Sequence, residues 1–192
     1  MTLIPNSFIL ISSTENKFSH VENVNNGDSN HILFVAYERS ILRPEYKRTM
    51  NIVIGGDHAG FELKGKLITW LGEKGHDVMD VGTHSDESTD YPDYAHALAN
   101  AVADTENALG ILICGSANGV SMTANKHQDI RAAIAWLPEI ASLAKQHNNA
   151  NVVCLPARFI SETSAFEIVE AFFGANFEGG RHERRVNKIA CS

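Results

Sequence analysis

From residue 50 onward, short apolar runs alternate with stretches whose apolar residues recur every three or four positions. Asn51-Ile52-Val53-Ile54-Gly55 is a run of the first kind and predicts a buried strand. Leu63, Leu67, Trp70 and Leu71 then share one helical face, and Gly75 stops that helix. Asp77 to Val81 predicts a second strand. Pro92 and Asp93 open a helix carrying Tyr94, Leu98, Ala101 and Val102 on one side. Leu109 to Ile113 predicts a third strand, ending at Cys114, and a short helix through Val120 and Met122 follows. Ile130 to Ala135 and Asn151 to Leu155 predict the last two strands. Between them, Pro138 starts a helix with Ile140, Leu143, Ala144 and His147 in line. Phe166, Val169 and Phe173 mark a final long helix that ends at Gly174.

Five strands separated by helices predict an α/β fold, a Rossmann-like three-layer sandwich around a five-stranded parallel sheet. Ligands in such folds sit at the carboxyl ends of the strands. Three polar clusters follow predicted strands: Gly56-Asp57-His58, Cys114-Gly115-Ser116 and Pro156-Ala157-Arg158. They are expected to converge on one edge of the sheet.

Residues 1–49 read differently. They are rich in Asn and Ser and hold no sustained period, although Phe8 to Ile11 and Ile32 to Ala36 have the composition of weak strands. Met50 precedes the first convincing strand. The expectation is an accessory or disordered extension, 1–49, ahead of one folded domain, 50–192, that does not need it.

Charge narrows the partners. The net charge is −7, and residues 1–49 are balanced, so the whole imbalance lies in 50–192. An acidic body disfavours nucleic acid and anionic membrane as partners. Against it, Arg181, Arg184, Arg185 and Lys188 crowd the end of the chain, a patch suited to a small anion. No apolar run is long enough to span a bilayer, and no secretory signal opens the chain. Three cysteines, an odd number without metal-ligand spacing, fit a reducing cytoplasm.

Cys114 carries the most chemistry of the three. It ends an apolar strand and opens the small-residue turn Gly115-Ser116-Ala117-Asn118-Gly119. Small residues let a ligand approach backbone N–H groups, and a helix starting near Ala117 would favour thiolate and bound anion alike. Cys154 reads as a buried structural thiol and Cys191 as an exposed terminal one. Asp57 either caps a helix or binds ligand, and His58 beside it suits a phosphate. His147 lies on an apolar helical face, where a histidine is usually a packed core residue. Its place at the helix end also suits proton transfer to a sugar hydroxyl, or a Cys–His pair with Cys114. Tyr91 is either a hydroxyl contact or packing. Arg181 and Arg185, four apart, share a face if helical, and read as a solvated tail or an anion grip. Arg158, at a strand end, matches phosphate oxygens.

Taken together, Gly56-Asp57-His58-Ala59-Gly60-Phe61, Thr89-Asp90-Tyr91-Pro92-Asp93-Tyr94, Ile113-Cys114-Gly115-Ser116 with Asn125-Lys126, Gln146-His147-Asn148 and Glu178-Gly179-Gly180-Arg181-His182 resemble the type B ribose-5-phosphate isomerases. The resemblance covers 50–192. The wider family includes galactose-6-phosphate and allose-6-phosphate isomerases. It implies an enzyme without metal or organic cofactor that interconverts ribose 5-phosphate and ribulose 5-phosphate in the pentose phosphate pathway. By position, Cys114 resembles the base that moves a proton from C2 to C1, and His147 the acid–base group that opens the furanose ring. Gly115, Ser116, Ala117, Asn118 and Gly119 resemble the enediolate anion hole, with Ser116 in place of a common threonine. Asp57, Tyr91 and Asn148 would meet sugar hydroxyls. His58, Arg158, Arg181 and Arg185 resemble the phosphate ligands, the last two reaching across the interface of a homodimer or homotetramer. Ala117 departs from the glycine that many members have, and alanine tolerates positive φ poorly. Two rival readings stay open: a six-carbon sugar phosphate as substrate, and a phosphate- or nucleotide-binding module without turnover.

Overall fold

The computed structural model describes residues 9–11, 18–20 and 49–190. By its internal contacts the chain divides into residues 1–47 and residues 48–192. In the first unit, strand β1 (Ile9–Ile11) pairs antiparallel with β2 (Phe18–His20), Ile9 opposite His20. The apolar run marks β1 in the sequence. Phe18-Ser19-His20 holds one large apolar residue, too little to mark β2. The expected strand at Ile32 to Ala36 lies outside the described residues.

The second unit is built on five parallel strands: β3 (Asn51–Gly56), β4 (Asp77–Asp80), β5 (Leu109–Cys114), β6 (Ala132–Ile134) and β7 (Val152–Pro156). Their order across the sheet is β4-β3-β5-β7-β6. The connecting helices are α1 (Phe61–Glu73), α2 (Tyr91–Asp104), α3 (Asn118–Ala124), α4 (Pro138–Asn148) and α5 (Glu162–Gly174), with α6 (Arg181–Val186) after them.

Alternation along the strands feeds two cores. Ile52, Ile54, Ile111, Ile113, Val153 and Leu155 pack with α1, α4 and α5 on one face. Val53, Leu112, Cys114, Val152 and Cys154 pack with α2 and α3 on the other. Both faces of the central strands are therefore dry, which is why those strands read as unbroken apolar runs. The edge strand β4 instead alternates exposed and half-buried residues. Its last residue, Asp80, accepts a hydrogen bond of 2.6 Å from the buried Lys64 of α1 and one of 2.9 Å from the Gly82 N–H.

Strand β6 is shorter than the pattern of residues 130–135 predicts. The Asn151 and Asn125 side chains take the N–H groups of Arg131 and Ala132 at 2.8 Å each. Side-chain amides thus occupy ladder positions at this edge. The chain reverses direction across the sheet between β3 and β5. The carboxyl ends of those strands form the switch-point crevice of a doubly wound sheet.

Candidate active site

At the carboxyl end of β3 the chain passes very close to β5. The Asp57 N–H donates to the Ile113 carbonyl at 3.2 Å. A Cβ on Gly56 would stand 2.3 Å from that carbonyl oxygen, and one on Gly60 would stand 2.7 Å from it. Glycine is required at both positions, and the approach puts Asp57 level with Cys114 and His58 one residue beyond. Asp57 is buried, and its Oδ1 accepts the Ala59 N–H at 3.0 Å, capping the single 3-10 turn His58–Gly60. His58 Nδ1 accepts the Thr89 N–H at 3.4 Å. That contact ties the β3 end to the segment that starts α2 with Tyr91.

Cys114 ends β5 opposite Pro156 of β7, and its carbonyl accepts the Ala157 N–H at 2.9 Å. The side chain is 6% exposed. Beyond it, Ala117 adopts φ 62°, ψ −8°, the left-handed region, and starts α3. The buried alanine thus takes the conformation for which glycine is favoured, at a cost of about 1–2 kcal/mol. Ser116 and Asn118 are exposed, and Asn118 Nδ2 donates to Ser116 Oγ at 3.2 Å. Two side chains cover the turn. Arg158 Nε lies 3.3 Å from where a Cβ of Gly115 would be, and the Tyr91 ring lies 2.6 Å from where a Cβ of Gly119 would be. Asp57, His58, Tyr91, Cys114, Arg158 and the turn Gly115 to Gly119 therefore meet at one edge, as the strand-end clusters predict.

His147 and Asn148 do not join them. They end α4, which runs back to the start of β7, and Val152 of β7 pairs with Gly110, four residues before Cys114. Four strand residues correspond to roughly 13 Å along the sheet. The Cys–His pair considered from the sequence is thus not assembled within one chain. His147 instead stacks on His182 of α6, ring centroids 4.3 Å apart and planes 6° from parallel. Glu178 Oε2 lies 3.8 Å from His147 Nε2 and 3.6 Å from His182 Nε2. The Glu178 N–H donates to the Gln146 carbonyl at 3.0 Å, fastening the segment to α4. Arg181 and Arg185 are exposed on the same short helix. Burial, then the neighbouring His147 and Arg181, push the His182 pKa below the usual histidine value.

Glu178 and His182 lie within the motif Glu178-Gly179-Gly180-Arg181-His182, which by itself gives neither a role. The i, i+4 spacing across Gly179-Gly180 is the only signal in the chain for their pairing. Thr89 is likewise without an assigned role, and its Oγ1 is buried with no hydrogen-bond partner. His147, Glu178 and His182 also form a group able to approach a metal ion, their ligand atoms lying within 4.8 Å of one another. A separate shallow hollow of about 430 Å³ runs along α1 and β4. Its buried charge, Lys64, is already paired with Asp80 and sits away from Cys114.

Comparison with known proteins gives the family. Residues 52–189 match the family described as Ribose/Galactose Isomerase. The chain is 47% identical over 140 residues to ribose-5-phosphate isomerase B of Escherichia coli, covering 73% of this chain and 94% of that one. It is 45% identical over 143 residues to a probable ribose-5-phosphate isomerase B of Mycoplasma genitalium, covering 73% and 94%. A solved ribose 5-phosphate isomerase of Thermotoga maritima superposes with a TM-score of 0.72 at 48% identity, over 73% of this chain and 97% of that one. The M. genitalium structure, with ribulose 5-phosphate bound, gives 0.70 at 45% identity over 73% and 93%. With its parallel sheet, its strand-end site and a match running almost the length of the second unit, the chain belongs to the ribose/galactose isomerase family.

Proposed function

We propose that this chain interconverts ribose 5-phosphate and ribulose 5-phosphate at a site shared between two copies. One copy supplies Cys114, Ser116, the anion turn, Asp57, His58, Tyr91 and Arg158. The other supplies His147, Asn148, Arg181 and Arg185. The observation that carries the reading is Cys114 at the switch-point crevice, followed directly by a turn of small residues beneath Arg158 and Tyr91. The second copy is called for because His147 and the exposed arginines stand at the opposite edge of their own sheet.

The chemistry runs in two stages. His147 gives a proton to ring oxygen O4 as the C1–O4 bond breaks; O1 becomes the aldehyde oxygen and its proton leaves to solvent. Cys114 thiolate then takes the C2 proton, and the electron pair moves through C1 to O1 to form the enediolate. The O2 proton passes to O1, the thiol returns its proton to C1, and the carbonyl now lies at C2. N–H groups of residues 115–119 face the developing negative charge, where one such donor is typically worth about 3 kcal/mol. Arginine forks and His58 on the phosphate supply orientation.

Cys114→Ala is expected to fold normally and to lose turnover in a coupled ketose-formation assay. Near-wild-type kcat would remove the thiol from the mechanism. Relatives named for ribose 5-phosphate, one of them holding ribulose 5-phosphate, favour the five-carbon sugar over galactose or allose 6-phosphate. The same assay run on all three sugars ranks them by kcat/KM. Ligand binding without turnover of any would instead support the regulatory-module reading.

A further inference from the structure

We propose that Glu178 and His182 are positioning residues for His147: the His182 ring fixes the plane of the His147 imidazole, and the Glu178 carboxylate, set beside its Nε2, fixes which ring nitrogen is turned toward a ligand. This rests on the reading that His147 opens the sugar ring.

The geometry makes the two histidines unequal. Their rings lie parallel at 4.3 Å, and both Nε2 atoms face the same Glu178 oxygen. Arg181 Nε donates to His182 Nε2 at 3.3 Å, so that nitrogen is an acceptor and carries no proton. His182 is also buried, which favours its neutral form. A neutral, immobile ring is a platform. His147 is the half-exposed member of the pair, and so the one able to bring a proton to a ligand. With the carboxylate on the Nε2 side, Nδ1 is the nitrogen left to serve O4. A carboxylate on one side of a catalytic imidazole is a recurrent way to fix its tautomer and orientation.

The charges around the cluster are Glu178, Arg181 and Arg185 from the segment after α5, with Lys145 on α4 itself. Lys145 is turned away, donating to the Ala150 carbonyl at 3.2 Å. Helix α5 meets α4 through Ala165, Ile168, Val169 and Phe172. The same three residues are less suited to a metal. Ligand lone pairs must converge on an ion about 2.0–2.1 Å away. In parallel rings they run side by side, and the lone pair of His182 is already taken by the guanidinium.

The test uses two assays on the full chain. Aldose turnover of ribose 5-phosphate needs ring opening. Deuterium uptake at C1 of ribulose 5-phosphate, followed by NMR, does not, because that ketose carries its phosphate on O5 and stays open. Glu178→Gln is expected to lower kcat for the aldose roughly tenfold, leaving KM and C1 exchange within about twofold of wild type. Glu178→Asp is expected to recover much of the loss. His147→Asn with Glu178→Gln should be no worse than His147→Asn alone, since both act through one imidazole. Unchanged aldose kcat in Glu178→Gln, or equal losses in the two assays, overturns the proposal. A fall in activity that Glu178→Asp does not recover, accompanied by a raised KM and lowered Tm, also overturns it, marking a tether for the arginines. Full aldose turnover by His147→Asn alone would instead remove the underlying ring-opening role. Zinc at stoichiometric concentration should leave wild-type turnover intact; tight zinc inhibition abolished by Glu178→Gln would show a metal site and overturn the platform.

Discussion

Cys114 and Cys154 point to the same face of the sheet, on neighbouring strands, yet their surroundings give them different chemistry. Cys154 pairs with Leu112 deep in β7 and is fully buried; burial pushes its thiol up to about 12, against a hydrogen bond with Ser121. It stays a protonated packing group across the physiological range. Cys154→Ala is therefore expected to cost about 1–2 kcal/mol in denaturant unfolding while kcat for the aldose holds. Loss of turnover without loss of stability would show that the second thiol takes part. The difference was legible in the sequence, because Cys114 is followed by a small-residue turn and Cys154 by Leu155-Pro156. Glu178 and His182 were not legible in this way. Their partner His147 lies on another helix, and no local pattern reports a stack between residues brought together only by folding. Ala117 shows the opposite case: its departure from glycine was visible, but its adoption of φ 62° was settled by the turn it occupies.

Among the elements, the central strands were legible and the edges were not. Strands β3, β5 and β7 are dry on both faces, so their sequences carry unbroken apolar runs. At the start of β6, asparagine side chains take backbone N–H groups, which the apolar pattern cannot register. The glycines at strand ends carry information of another kind, reporting where one backbone or ring presses on another. Gly119 is the instance within the small-residue turn, since the first turn of α3 lies against the Tyr91 ring at the start of α2. A methyl group at Gly119 must push that ring away. Tyr91 is 39% exposed and can swing outward, so the core need not deform. Gly119→Ala is expected to keep its Tm within a few degrees and to lose about tenfold in kcat/KM. A large fall in Tm with unchanged kcat/KM would show that Tyr91 packs but does not help hold substrate.

For the whole molecule, the decisive fact is that His147 and Cys114 stand at opposite edges of one sheet. Among the described residues no helix is long and apolar enough to cross a membrane, and the residues assigned to the site all fall in 48–192. On the shared-site reading, chains lacking Cys114 and chains lacking His147 complement each other. Cys114→Ala and His147→Asn proteins, each nearly inactive, are expected to regain about one quarter of wild-type activity after joint unfolding and refolding in equal amounts. Half of the pairs are then mixed, and each mixed pair holds one intact site. No recovery, with mixed pairs demonstrated by mass, would place both groups on a single chain. On that same reading, the separation of His147 from Cys114 also makes catalytic competence a property of encounter. Below the concentration at which two chains remain together, the observed rate should fall with the square of protein concentration, and dilution alone would act as an inhibitor.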